Sequence, residues 1–327
     1  MGNITAARTA LEAWESVVGA AKLEPLPLVT NPVWRVDAED GRQFVLKHLP
    51  ETAPGVEPVE QFRVLCYLQA AGVPVALPII TDSGSIRMPA GERSYALMPL
   101  VPSDRSNHEL GTEASATAYA IGTAIGQMDK ALADCPWQVH SYIDDPAPEI
   151  LGKVFPKLPA EITRPVSPFV DQLWAAVSKL PTQRTVGDCN TGNVLVHDSQ
   201  VSAFIDLDHL PMGPRVWDLS DYLVSRLRMH LSQPDSAERD TAAMLAVLGR
   251  YVAGYHQTYP LTQRELTAVV PLILVIDIGL ADWRLHGWVP DPDGYQQCVR
   301  SISWITANLD VLTTAAGTPP MVDSVRT

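Results

Sequence analysis

Cysteine, phenylalanine and basic side chains are all scarce in this sequence. Its four cysteines, Cys66, Cys135, Cys189 and Cys298, lie far apart and none share a C-x-x-C spacing. That argues against a zinc site or a disulfide framework and leaves free thiols in a reducing compartment. Lysine and arginine number 24 against 37 aspartates and glutamates, a net charge of −13. Neither a phosphate backbone nor an anionic lipid surface would be attracted to such a chain, so no nucleic-acid or membrane partner is expected. Unbroken apolar runs are also lacking. The longest, Ala268–Leu280, is interrupted by Pro271 and Asp277 and reads as too short to span a bilayer. Thr5–Val18 carries Glu12 and Glu15 and reads as an amphipathic helix rather than a secretory leader, and Ala6 breaks the myristoylation pattern that Met1-Gly2 begins. A cytoplasmic location is expected. With 46% hydrophobic and 19% charged residues over 327 positions, the chain is globular and long enough for two packed lobes.

What is present centres on Arg184-Thr185-Val186-Gly187-Asp188-Cys189-Asn190-Thr191-Gly192-Asn193-Val194-Leu195-Val196. An aspartate precedes a tight polar turn, and an asparagine closes that turn just before an apolar strand. A short break leads to Ala203-Phe204-Ile205-Asp206-Leu207-Asp208, a second apolar strand ending in carboxylates. Read together, the strand ends bring Asp188, Asn193 and Asp206 near one another. Phosphoryl transfer uses such a set: one carboxylate to orient a hydroxyl, and an amide with a second carboxylate to hold magnesium. Carboxylates crowded in this way repel one another unless a cation lies among them. The plainer alternative is that Asp188 and Asn193 cap a loop, as Asx residues often do.

Gly187-Asp188 followed by Asn193, then Ile205-Asp206-Leu207-Asp208, Gly213-Pro214 and Asp218-Leu219, resembles the aminoglycoside phosphotransferase and choline kinase superfamily. The resemblance implies an α+β, bilobal, protein-kinase-like fold: a small antiparallel-sheet N-lobe (1–101) and a larger, mainly helical C-lobe (102–327), joined near 97–102. It implies ATP and Mg²⁺ as cofactors and a small-molecule alcohol as phosphate acceptor. Asp188 would be the catalytic carboxylate, and Asn193 and Asp206 the metal ligands. Lys47, held by Glu60, would face the nucleotide phosphates. The linker at Met98 and Leu100 would offer backbone N–H groups to the base. Asp208, His209, Asp221, Asp277 and Trp283 are the candidates for contact with an amine or amino-alcohol of aminoglycoside-like, choline-like or homoserine-like type. Two departures stand out. Val186 occupies a position that is histidine in most of the resembled family, and His209 one that is often acidic or aromatic. The first keeps a catalytically impaired binding or regulatory protein in play beside the enzyme. An atypical protein serine/threonine kinase is the third reading, though nothing resembling an activation segment follows Asp206. The sequence is silent on oligomeric state.

Elsewhere, Val29–Asp37 and Gln43–Lys47 read as a hairpin about Asp40-Gly41. No glycine-rich loop accompanies it. Lys47 shares a strand face with Val45. A helix is expected from Glu57 or Pro58 to about Ala71, its opening glutamate being Glu60 in preference to Glu57, and strands around Val75–Ile80 and Ser94–Leu100. Thr112–Ala133 reads as an Ala-rich helix with Gly122 and Gly126 on one face for close packing. Pro136–Pro168 reads as irregular with short helical pieces. Asp218 is expected to be an N-cap or a loop anchor. Helices are expected over Phe169–Lys179, Asp218–Arg228, Ser236–Gly254, Thr262–Leu280 and Asp293–Leu309.

Overall fold

The computed structural model describes residues 4–26, 31–49, 58–90, 93–104, 115–137, 146–232, 241–287 and 289–318. The fold is bilobal, with a small antiparallel N-terminal sheet and a larger helical C-lobe. Two compact units result: one of Met1–Ser103, Cys135–His140 and Ser202–Ile205, the other of Asp104–Asp134, Ser141–Val201 and Asp206–Thr327.

The first unit carries helices α1 (Ile4–Leu11), α2 (Glu15–Val18) and α3 (Pro58–Ala70) and strands β1 (Lys22–Pro25), β2 (Val33–Asp37), β3 (Gln43–Leu49), β4 (Met88–Ala90) and β5 (Arg93–Pro99). The strands form one antiparallel sheet in the order β1-β2-β3-β5-β4. The β2–β3 hairpin turns where expected, with Gly41 at φ +85. Alternation puts Trp34, Val36, Phe44 and Leu46 on a buried face, where Trp14, Tyr95 and Leu97 complete the core. β1 was not expected: Lys22 and Glu24 mask its pattern, and only Leu23 is buried. Val75–Ile80 is not the continuous strand expected. It makes only two isolated bridges, Val75 to Phe204 and Ile79 to Leu97, because Pro74 and Pro78 have no N–H to donate to a ladder.

The second unit is built on α4 (Ser115–Ala133), α5 (Pro146–Glu149), α6 (Ala160–Val166), α7 (Val170–Val177), α8 (Trp217–Leu231), α9 (Thr241–Thr258), α10 (Gln263–His286), α11 (Pro292–Ala307) and α12 (Leu309–Gly317). Short strands β6 (Thr182–Arg184) and β9 (Met212–Pro214) pair, and β7 (Val194–His197) pairs with β8 (Gln200–Phe204), whose last three residues are counted with the first unit. The α4–α9 contact is made backbone to backbone. A Cβ on Gly122 would strike the carbonyl of Tyr251, and one on Gly254 would strike that of Tyr119. α10 runs further than its sequence suggested, because Pro271 is accommodated inside it. At 24 residues it is long and apolar enough to cross a membrane, yet 72% of its most apolar window is buried in the protein, where it serves as the core helix. A capping box starts it: the Thr262 hydroxyl accepts from the Glu265 N–H while the Glu265 carboxylate takes the Thr262 N–H.

Candidate functional site

β6 delivers the chain to the polar turn. Arg184 pairs with Met212 in the β6–β9 register, the Arg184 guanidinium donates to the Leu210 carbonyl at 3.1 Å, and the Thr185 N–H donates to the Pro211 carbonyl at 2.9 Å. The 210–214 segment is thereby held beside the approach to the turn. Gly187 follows at φ +80, a left-handed conformation that suits only glycine here, since its Cα faces the Pro211 ring.

The turn hangs from α8. Asp218, fully buried in the first turn of that helix, accepts the N–H of Val186 at 2.6 Å through Oδ2 and that of Gly187 at 2.9 Å through Oδ1. Asp218 is thus the loop anchor of the two alternatives above; the N-cap position belongs to Val216. Val186 turns its side chain into the core. Thr191 N–H donates to Ser225 Oγ at 3.1 Å, a second tether to α8.

Asp188 and Asn193 are brought together. The Asn193 Nδ2 donates to the Asp188 carbonyl at 2.9 Å and to Asp188 Oδ2 at 3.0 Å, and Asn190 Nδ2 donates to Asp188 Oδ1 at 2.6 Å. The Asn193 Nδ2 faces two acceptors on Asp188, which assigns the amide flip and leaves its Oδ1 out of both bonds. Asp206 leaves β8 exposed and at φ +63, an unusual backbone state for a non-glycine and one often found at functional positions. Asp208 and His209 are half-buried, and His209 lies against Gly187, 3.8 Å from where a Cβ would stand. An amide oxygen and an exposed carboxylate are a hard-donor set that suits Mg²⁺.

Asp221, 6% exposed, lies beneath the turn, accepts the Cys189 N–H and feels the Asp188 charge; burial pushes its carboxyl well up, and Asp188 adds to the effect. Burial likewise raises the Cys189 thiol far above its ordinary range, so it is no thiolate nucleophile. Asp277 has no exposed surface. Burial lifts it to about 6 against the pull of Arg228, whose Nε lies 3.8 Å away. Trp283 is 46% exposed with Arg284 stacked 5.1 Å over its ring. The five substrate candidates differ in access: Asp208 and His209 are half-buried, Asp221 and Asp277 are buried, and Trp283 is exposed. Glu57, the alternative to Glu60, lies outside the described residues.

In the N-terminal unit Lys47 is half-buried in β3 opposite Ala96, and Glu60 is half-buried in the first turn of α3. The N–H groups expected to be open at Met98 and Leu100 are not. Leu100 N–H donates to the Gln43 carbonyl at 3.1 Å, and the two-residue alternation of an antiparallel ladder commits Met98, opposite Val45, in the same way. Val101, the next residue, lies beyond the β3–β5 ladder.

Residues 22–266 match the profile of the phosphotransferase enzyme family. The chain belongs to that family. Among solved structures, it is similar to amicoumacin kinase in complex with AMP-PNP, Ca²⁺ and Ami (TM-score 0.71, 16% identity, 94% of each chain covered). It is also similar to a microcompartment-associated aminopropanol kinase (TM-score 0.68, 15% identity, 96% of this chain and 99% of that one). A third is the GDP complex of aminoglycoside 2'-phosphotransferase-IIIa (TM-score 0.66, 11% identity, 94% and 100% covered). No curated protein sequence matches significantly. At these identities the structural likenesses speak to the fold; the family match supports small-molecule phosphotransfer.

The sequence missed Asp129, Tyr255 and Asn190. Asp129 left one trace: it falls seven residues after Gly122 and three after Gly126, an acid on the very face given over to close packing.

Proposed function

We propose that the protein transfers the γ-phosphoryl group of ATP to a hydroxyl of a small amine or amino-alcohol. The observation that carries this reading is the Asp188–Asn193 pair, joined by two hydrogen bonds on a turn whose backbone is clamped by Asp218. Each Asp188 carboxylate oxygen takes one side-chain amide and keeps a second lone pair with which to accept the proton of an attacking hydroxyl. Asn193 Oδ1 and Asp206 would hold Mg²⁺, which supplies charge neutralisation at the phosphates when bound. Lys47 and Glu60 are assigned to the phosphates by family resemblance alone. For an acceptor amine, Asp208 and His209 are preferred over Asp277, because a side chain without exposed surface does not reach a ligand. The amino-alcohol in the name of the aminopropanol kinase supports the same substrate class.

The test is Mg²⁺-dependent consumption of ATP, with GTP in parallel, screened over amino-alcohols, amines and amine-bearing antibiotics. Asp188→Asn is expected to lower turnover by about 10²–10⁴ while ATP still raises the melting temperature. A variant as fast as the wild type removes the base assignment. Buried Val186 favours a second reading, a catalytically weakened kinase-like binder. A large gain of turnover in Val186→His would establish it.

A further inference from the structure

Behind the clamp lies a second acid. Asp129 of α4 is fully buried, and its carboxyl is in hydrogen-bonding contact with that of Asp218. Both oxygens of Asp218 accept backbone N–H groups, which stabilise its charged form, so it is the better placed of the two to be the anion. Tyr255 on α9 has a single hydroxyl proton but faces two acceptors, the Arg215 carbonyl at 2.9 Å and Asp129 Oδ2 at 2.7 Å. Asp129 Oδ1 meets no donor at all. With both acids ionised, an oxygen of Asp129 would face an oxygen of Asp218 with no hydrogen between them, in an interior where an unpaired charge is expensive. One proton on Asp129 bridges the two acids, and the Tyr255 hydroxyl proton is left to be shared between its two acceptors.

Among the described residues, Arg215 is the cation that acts on Asp129, and its pull is outweighed by burial and by the Asp218 charge. Arg215 is committed to the Glu265 carboxylate, with Nη2 to Oε2 at 2.6 Å, and to the Tyr259 ring. Arg184 on β6 sends its guanidinium to the Leu210 carbonyl, and Lys130, next along α4, is exposed. The Cys189 thiol is held neutral by burial, and the acids Asp188 and Asp221 face Asp218 from the turn and from α8, where their charges can only favour a proton on the pair.

We infer that Asp129 carries a proton at neutral pH and donates it to Asp218, so that the acid pair and Tyr255 form a positioning device for the backbone that presents Asp188. Burial, together with the Asp218 charge, pushes the Asp129 carboxyl well above the ordinary carboxylate range, in agreement with the geometry. The functional half of this inference rests on the phosphotransfer reading; the protonation half does not.

Asparagine mimics protonated aspartate here, its amide donating to Asp218 and its carbonyl accepting from Tyr255. The sign follows from linkage. A carboxyl raised on folding takes up a proton, so the stability Asp129 contributes is full below the unfolded value near 3.9 and is lost as pH rises toward the folded value. The wild-type unfolding constant therefore rises tenfold per pH unit relative to that of Asp129→Asn between about pH 4.5 and 7. Parallel profiles in the two proteins would overturn the shared proton. In Mg²⁺–ATP turnover, Asp129→Asn is expected within about threefold of wild-type kcat. It should also lose any alkaline decline due to Asp129. Asp129→Leu, uncharged but unable to donate, is expected to drop at least tenfold in kcat with KM for ATP unchanged. Equal losses in Asn and Leu variants would reduce Asp129 to a packing residue. If no turnover is found with any acceptor, the phosphotransfer reading fails while the unfolding profiles still decide the proton. Should neither variant fold, carbonyl-stretch infrared spectra of the wild-type protein in D₂O at pH 7 serve instead. A protonated carboxyl band that persists in Asp221→Asn supports the inference, and a band absent from the wild type or lost in Asp221→Asn overturns it.

Discussion

Replacing Gly187 by alanine tests how tightly the catalytic turn is held. Two costs combine. At φ +80 an L-residue is disfavoured by about 1–2 kcal/mol. The new methyl would stand 2.5 Å from Pro211 Cγ and 2.7 Å from Cδ, well inside contact distance. A proline ring has no rotamer to escape into, and its own carbonyl is held by Thr185 N–H, so the backbone on one side must move by roughly 1 Å. Forced overpacking of this kind costs about 1–3 kcal/mol. The sum, roughly 2–5 kcal/mol, corresponds to a fall in melting temperature of about 5–15 °C for a unit of this size. A displacement of ~1 Å in a reacting group lowers turnover about 10²-fold. Thermal unfolding by circular dichroism and Mg²⁺–ATP turnover with the best acceptor measure both effects, with ATP affinity expected to hold. If Gly187→Ala melts with the wild type and turns over at the same rate, the turn is not clamped as described, and the account of Asp188 placement falls with it.

Gly254→Ala is expected to destabilise by about 1–3 kcal/mol or more, because its methyl would meet the Tyr119 carbonyl and, at 2.9 Å, the Thr123 nitrogen, both backbone; chemical denaturation reads this directly. Arg215→Met strips the partner from fully buried Glu265 and is expected to cost about 3–5 kcal/mol, an outcome an unchanged denaturation midpoint would contradict. Asp277, raised to about 6 by burial, is protonated more readily folded than unfolded, so its contribution to stability is full below about pH 4 and fades as pH climbs to 6. Asp277→Asn should remove about 1.4 kcal/mol per pH unit of that decline, as followed by urea midpoints across the interval.

The elements legible in the sequence were those written in local pattern. Asp40-Gly41 between alternating strands gave the β2–β3 hairpin, and Thr262 with Glu265 marked the start of α10. The ordered residues Gly187-Asp188, Asn193 and Asp206 pointed to the turn and its family. Where local signal was absent, reading failed for identifiable reasons. β1 buries a single side chain, so alternation had nothing to act on. Pro74 and Pro78 silenced a stretch whose apolar character looked strand-like. The N–H groups of Met98 and Leu100 looked open because the register that uses them belongs to a partner strand some fifty residues away. Asp129 and Tyr255 meet across 126 positions of chain, a separation no periodicity reports.

The bare faces of α4 and α9 carry a lesson for anyone reshaping this protein. Main chain rests on main chain at Gly122 and Gly254, so there is no layer of adaptable side chains to absorb a drift between the two rods. Asp129 and Tyr255 ride on those rods and inherit their fixity. Libraries aimed at new acceptors should leave these glycines untouched and diversify residues such as Trp283 on the outer surface, where a change of shape has somewhere to go.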